Sequence, residues 1–169
     1  MRLEGKDLDL QQVWNVAMRE EKVELGDLAK EKVKESRDYI ESRLKSGEAI
    51  YGVNTGFGAF SSVRISDEEI EELQFNLIRS HCAGVGDPFT KEESRAIMLL
   101  RANALATGHS GIRLCVIEKI LEFLNNDIIP VIPQQGSVGA SGDLAPLSHL
   151  ALALICLLYT SPSPRDRIR

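Results

Sequence analysis

Residues 134–149, Gln-Gln-Gly-Ser-Val-Gly-Ala-Ser-Gly-Asp-Leu-Ala-Pro-Leu-Ser-His, constrain this chain more than any other stretch. Four small residues, Gly139, Ala140, Ser141 and Gly142, stand where a proline-bearing segment runs into an apolar helix. So little side-chain bulk lets the backbone bend tightly and be approached closely. Ser141 adds a hydroxyl. Asp143 follows, where a helix N-terminus favours an anion. A fold that carries this stretch must bring its backbone close to other parts of the molecule. The backbone itself is therefore a candidate for chemistry.

The rest of the chain reads as helix. Residues 1–46 are expected to be helical, with Leu10, Val13, Val16 and Ala17 at helical spacing. A second helix is expected from Asp27 to Leu44, its stripe of Val33, Ile40 and Leu44 flanked by dense charge and stopped at Gly47. Ser66 to Glu69 and Thr90 to Glu93 have the spacing of capping boxes. They open helices that end at Gly84-Val-Gly86 and at Gly108. Ser110 is expected to cap the next helix, which ends at Asn125-Asn126. Pro130 and Pro133 impose an extended segment, and a last helix runs from about Asp143 to Leu157. No alternating strand longer than four residues is present, so the fold class is all-α.

Composition narrows the function. The chain is 43% hydrophobic over 169 residues, enough for one domain with a real core. Its net charge is −5, which argues against a nucleic acid or an anionic membrane as partner. The longest apolar run, Leu150 to Tyr159, is about half a bilayer span. Cys82, Cys115 and Cys156 have no metal-ligand spacing, and we expect buried thiols in a reducing cytoplasm. No basic and apolar leader opens the chain, which agrees with a cytoplasmic location.

Residues 49–64, Ala-Ile-Tyr-Gly-Val-Asn-Thr-Gly-Phe-Gly-Ala-Phe-Ser-Ser-Val-Arg, break the helical period. The loop is apolar and rich in glycine. Burying it requires partners for its backbone polar groups, which favours a functional loop over a spacer.

Four readings of residues 136–143 can be weighed on residue type. A phosphate-binding loop needs a Lys after its glycines, and Asp143 would instead repel phosphate. A hydrolase nucleophile elbow needs Gly-x-Ser-x-Gly after a strand, and neither condition is met. A tight helix entry remains open. So does backbone chemistry, in which the Gly142 nitrogen attacks the Ala140 carbonyl and the ring then loses the Ser141 hydroxyl as water. The product would be an electrophile made from the chain itself.

Two motifs, Tyr51-Gly-Val-Asn-Thr-Gly-Phe-Gly58 and Gly136-Ser-Val-Gly-Ala-Ser-Gly-Asp-Leu-Ala-Pro-Leu-Ser-His149, strongly resemble the family of aromatic amino-acid lyases and aminomutases. The resemblance covers residues 1 to about 156. It implies the N-terminal helical domain of that fold, ending before a central bundle of long helices. It also implies that Ala140, Ser141 and Gly142 cyclise to a methylidene-imidazolone prosthetic group, with no external cofactor and no metal. The substrate's α-amino group would add to the methylidene carbon, a base would take a β-proton, and ammonia would leave.

Tyr51 is similar to the family's catalytic tyrosine. A phenol acts as a base only when its surroundings lower its proton affinity or hold it against the proton. Asn54 and Gly58 would shape the pocket and meet developing oxyanions. Ser80-His81 resembles the histidine-specific members, whereas Phe-Leu would suggest phenylalanine and His-Leu tyrosine. His81 could hydrogen-bond a substrate imidazole.

The implied reaction is deamination of L-histidine to trans-urocanate, the first step of histidine degradation. Tyrosine or phenylalanine lyases, an aminomutase and a non-catalytic helical fragment are the alternatives. The implied partners are a small amino-acid substrate and, in the full-length form, three further copies in a homotetramer. His109 and His149 are read as structural.

Residues 157–169, Leu-Leu-Tyr-Thr-Ser-Pro-Ser-Pro-Arg-Asp-Arg-Ile-Arg, change character abruptly and are expected to be a non-native tail. The family chain is much longer. The 169-residue chain is therefore expected to be inactive alone, with helical stripes left uncovered.

Overall fold

The architecture is that of a computed structural model, described over residues 1–56, 65–137 and 144–155. Asp9 opens the first helix, α1 (Leu10–Arg19). Its carboxylate accepts the Gln12 N–H at 2.7 Å while Gln12 Oε1 accepts the Asp9 N–H at 3.0 Å. This reciprocal pair satisfies two of the donors that a helix start leaves free. Strand β1 (Arg2–Leu3) precedes α1 and β2 (Glu24–Leu25) follows it, paired in parallel as Arg2 with Glu24 and Leu3 with Leu25. Helix α2 (Asp27–Lys45) comes next, with Ala29 and Val33 buried and its charged faces in solvent.

Helix α3 (Asp67–His81) leads into β3 (Val85–Pro88). Helix α4 (Lys91–Ala106) opens on a capping box between Thr90 and Glu93, as their spacing predicts. Helix α5 (Leu114–Asn125) follows. Strand β4 (Pro133–Gln135) then pairs antiparallel with β3, and α6 (Leu144–Leu154) closes the described part of the chain. The class is all-α, with two short ribbons as struts.

Helix α4 is the axis of the core. It packs against α1, α2 and α5, and it buries Met98, Leu99, Ala102, Leu105 and Ala106. Small side chains at Ala102 and Ala106 let neighbouring helices approach closely. Ile117, Ile120 and Leu124 recur at helical spacing on α5 and complete the contact. Helix α6 adds Leu150 and packs against both α3 and α5.

One charged side chain lies inside this core. Arg95 on α4 is 2% exposed. Its Nε and Nη2 both donate to the Val16 carbonyl at 3.0 Å. Its Nη1 donates to the Leu124 carbonyl at 3.0 Å and to Asp127 Oδ1 at 3.2 Å. Val16 and Leu124 lie in the last turns of α1 and α5, where carbonyls lack helical donors and the helix dipole is negative. Asp127 also meets Lys91 at 2.7 Å, and Lys91 reaches Glu20 at 2.6 Å. The Lys91 ammonium, bonded to Asp127, holds the Asp127 carboxyl below its ordinary range.

Several sequence expectations are corrected. Residues 1–9 and 20–26 are not helix, because the β1–β2 ribbon and its turns take them. The Asn125 amide exchanges two hydrogen bonds of 2.8 Å with the Val23 backbone, so a distant side chain stands in for a helical neighbour. Ser66 makes no cap bond to the backbone. Its hydroxyl donates to the Glu69 carboxylate at 2.7 Å instead. Arg113 rather than Ser110 occupies the N-cap of α5. Cys115 is exposed on α5 rather than buried, and Cys82 is half-buried. Residues 157–169 and Cys156 lie outside the described residues.

Replacing Arg95 by Met should strip the buried Val16 carbonyl of its donors and leave the Leu124 carbonyl with only backbone N–H groups beyond the helix, Asp127 N–H at 3.4 Å among them. The expected loss is on the order of 3 kcal/mol of unfolding free energy. Chemical denaturation followed by circular dichroism checks it, and a loss of a few tenths would show that the cation is dispensable.

Candidate active site

The loop after α2 is built on Asn54. This side chain is 1% exposed. Its Oδ1 accepts the Ile50 N–H at 2.7 Å, and its Nδ2 donates to the Glu48 carbonyl at 2.9 Å. The Asn54 N–H itself donates to the Ile50 carbonyl at 3.2 Å. Asn54 thus closes the turn that presents Tyr51, which is 62% exposed. The backbone accounts for both ends of its amide. The Ile65 N–H donates to the Asn54 carbonyl at 3.0 Å, which ties the turn to the start of α3. Gly58 lies outside the described residues.

His81 ends the same helix. Its Nδ1 lies 2.8 Å from the Leu77 carbonyl. A carbonyl can only accept, so Nδ1 carries the hydrogen and Nε2 of the neutral ring is an acceptor. The Ser80 hydroxyl donates to the same carbonyl at 2.9 Å and lies 3.1 Å from Nδ1. The Ser80-His81 pair is therefore fixed by the carbonyl end of α3, where orphan acceptors need donors. A helix of 15 residues is roughly 22 Å long. The Tyr51–Asn54 turn is tied to the residues that precede α3, and His81 is the last residue of that helix.

The flanks of the small-residue stretch meet beyond His81. Gly84 N–H donates to His149 Nε2 at 3.2 Å. A methyl group on Gly84 would lie 2.9 Å from that nitrogen and 3.0 Å from Pro133 Cβ. Gly136 has φ +140°, and a methyl group there would lie 3.0 Å from Gly84 Cα and 3.2 Å from Ala145 Cβ. Ala145 and His149 are one turn apart on α6 and share a face. The chain thus enters this stretch at Gly136 and leaves it at Ala145 with the two residues almost touching. Ala140, Ser141 and Gly142 lie between these points and outside the described residues.

His149, read from the sequence as structural, makes the long-range bond of this junction. It is 9% exposed, and burial pushes its imidazolium form to lower pH. Because Nε2 accepts from Gly84, the hydrogen of the neutral ring is on Nδ1. That nitrogen is buried with no hydrogen-bond partner. The available signal is a histidine on an apolar helix, which must be satisfied somewhere. Its partner is 65 residues away and only the fold reveals it. Burial likewise raises the Cys82 thiol, so it is not a reactive thiolate. Among the described residues, no cluster of three or more His, Cys, Asp or Glu is placed to hold a metal.

The folded His149 ring resists protonation, whereas a histidine in the unfolded chain titrates near 6.5. Below that pH the unfolded state takes a proton that the folded state refuses, so stability falls with falling pH. The fall stops once the folded ring titrates as well. Thermal unfolding should show a midpoint that drops as pH goes below about 6.5, and less so in His149→Gln. Equal pH slopes in the two proteins would remove His149 as the cause.

Comparison with known proteins places this geometry in a wider group. Residues 8–159 match the sequence profile described as aromatic amino acid lyase. The histidine ammonia-lyase of Geobacillus sp. (strain WCH70) is 56% identical over 153 residues, 90% of this chain and 30% of that protein. Among solved structures, ergothionase from Treponema denticola, an ergothioneine-degrading enzyme, superposes with a TM-score of 0.86 at 37% identity. It matches 90% of this chain and 31% of that one. Histidine ammonia-lyase from Trypanosoma cruzi gives 0.80 at 41% identity, over 90% of this chain and 30% of its own. The chain thus spans about 30% of the length of the curated relatives it matches.

Proposed function

Because this chain belongs to the aromatic amino acid lyase family, we propose that it is the N-terminal part of an ammonia-lyase acting on L-histidine. The observation that carries this reading is His81. With Nδ1–H held by the Leu77 carbonyl, Nε2 can accept a hydrogen bond from the N–H of a substrate imidazole. A phenyl ring offers no donor at that place, whereas a phenol would have to present its O–H at the position of the imidazole N–H. A site built to bond a polar group discriminates strongly against analogues that lack it.

Ala140, Ser141 and Gly142 are the residues that would form the prosthetic group. The Gly142 nitrogen bonds to the Ala140 carbonyl carbon. The carbonyl oxygen leaves as water with the amide hydrogens of Ser141 and Gly142. The Ser141 hydroxyl then leaves as a second water with its Cα hydrogen. Atoms balance without an oxidant. The small Ala140 side chain and the bare Gly142 leave the attack path open. The finished group supplies an electrophilic carbon for the substrate's amino group.

Tyr51 is the base for the β-proton, presented by the turn that Asn54 closes. Gly58 follows on the same loop and bounds the pocket. In the full-length form the active site is completed by other copies in a homotetramer. Exposure of Tyr51 in the single chain fits a residue that assembly covers. Residues 1–156 form part of the lyase domain, and 157–169 are foreign to it. The isolated 169-residue chain is inactive on this reading, because the remaining catalytic groups and the helical bundle belong to the longer protein. Among the described residues, no helix is long and apolar enough to cross a membrane.

The test uses the full-length enzyme with L-histidine, L-tyrosine and L-phenylalanine, following the ultraviolet absorbance of each unsaturated acid. Urocanate should form fastest. His81→Leu should lower kcat/KM for L-histidine by about tenfold to a hundredfold, the loss expected for one buried hydrogen bond. Faster release of coumarate or cinnamate by the unaltered enzyme would sink the assignment. A β-amino acid as the main product would make it an aminomutase.

A further inference from the structure

Helix α3 ends without a left-handed cap. None of Cys82, Ala83 and Gly84 has the positive φ with which many helices close. The N–H of Cys82, the C-cap residue, donates to the Ile78 carbonyl at 3.1 Å. Gly84 lies two residues further on. In a Schellman cap the N–H at that place returns to a carbonyl of its own helix. Here it crosses to α6 and donates to His149 Nε2, 65 residues away, at 3.2 Å. A methyl group on Gly84 would lie 2.9 Å from that nitrogen and 3.0 Å from Pro133 Cβ, so glycine serves here for space rather than for its dihedral freedom. The ring is 9% exposed, and its Nδ1 has no hydrogen-bond partner among the described residues. The bond to Gly84 is therefore the polar tie that holds it.

The turn that this bond secures carries Ser80 and His81. Both side chains lean on the Leu77 carbonyl, at 2.9 and 2.8 Å, and both need the last turn of α3 to stay wound. Helix ends fray unless something holds them. Once that turn unwinds, His81 Nδ1 leaves the carbonyl that fixes its tautomer and its place. We propose that His149 is a positioning residue, a cap supplied by α6 that keeps the last turn of α3 wound through Gly84 and so holds Ser80 and His81 in place. The capping stands on the geometry alone. Its consequence for the substrate rests on the lyase reading.

Three variants of this chain test the cap. His149→Phe keeps a planar ring and removes its acceptor. Gly84→Ala pushes the ring away from the backbone N–H. His149→Gln keeps an acceptor on a side chain of similar reach. Amide hydrogen exchange, read by mass spectrometry on peptides covering 77–84, should speed up about tenfold in the first two variants, the effect of one lost hydrogen bond. It should stay within about threefold of the unaltered chain in His149→Gln. Peptides of α4 and α5 report whether the core has stayed folded, and where His149→Phe loses the core, Gly84→Ala decides. Unchanged exchange over 77–84 with the core intact overturns the proposal. So does an acceleration in His149→Gln equal to that in His149→Phe.

In the full-length enzyme the second measurement is coupling to His81. His149→Phe should lower kcat/KM for L-histidine about tenfold by itself. In a His81→Leu background the same change should cost less than about twofold, because the group it holds is already gone. Equal losses in the two backgrounds would make His149 merely structural and overturn its role for His81. If the unaltered enzyme does not turn over L-histidine, the lyase reading fails, and exchange over 77–84 alone upholds or overturns the cap.

Discussion

A buried guanidinium holds the centre of this fold. Arg95 gathers the carbonyl ends of α1 and α5 around α4 and donates to a carbonyl of each at 3.0 Å. A charge in a core is unfavourable unless its hydrogen bonds are completed. Here the acceptors are two helix C-termini and one carboxylate, all of the sign that a cation requires. The arrangement fixes where two helices must end relative to a third. Asp127 extends it outward to Lys91 and Glu20, where solvent weakens each pair. The apolar contacts of Met98, Leu99, Ile117 and Ile120 supply most of the burial. They specify no register by themselves, and the directional bonds of Arg95 do.

The second organising contact lies at the other end of the molecule. The β3–β4 ribbon has only a few residues, yet it carries the chain from α3 to the start of α6. Pro133 and Gly84 pack at its edge, and His149 bonds across it. This places the end of α3, with Ser80 and His81, beside the flanks of residues 138–143. The Tyr51 turn is tied instead to the beginning of α3.

Much of the helix order was legible in the chain. The stripe on α5, the Thr90 and Glu93 box, and the end of α4 before Gly108 follow from local rules of spacing and capping. The failures are partly local and partly long-range in origin. Ser66 and Glu69 have the spacing of a cap, but the two side chains satisfy each other. Asp9 and Gln12 form the box that sequence reasoning passed over, since Gln is a less common partner than Glu. The ribbon of β1 and β2 has two residues per strand, too few for any periodic signal. Asn125 holds it from about a hundred residues away, and no window of sequence contains that bond.

The motifs around Tyr51 and Ser141 carry the resemblance to the aromatic amino acid lyase family, to which the chain belongs. The sequence also determined the all-α class, through its 3.6-residue period. Tertiary structure alone decided what those groups face. It set the tautomer of His81 through the Leu77 carbonyl, buried Arg95, left Cys115 in solvent, and turned His149 from an ordinary helix residue into the clasp of a glycine junction. The reason is the same in each case. Periodicity and capping act within a few residues, whereas burial and hydrogen-bond partnership depend on contacts between segments that only the folded chain brings together.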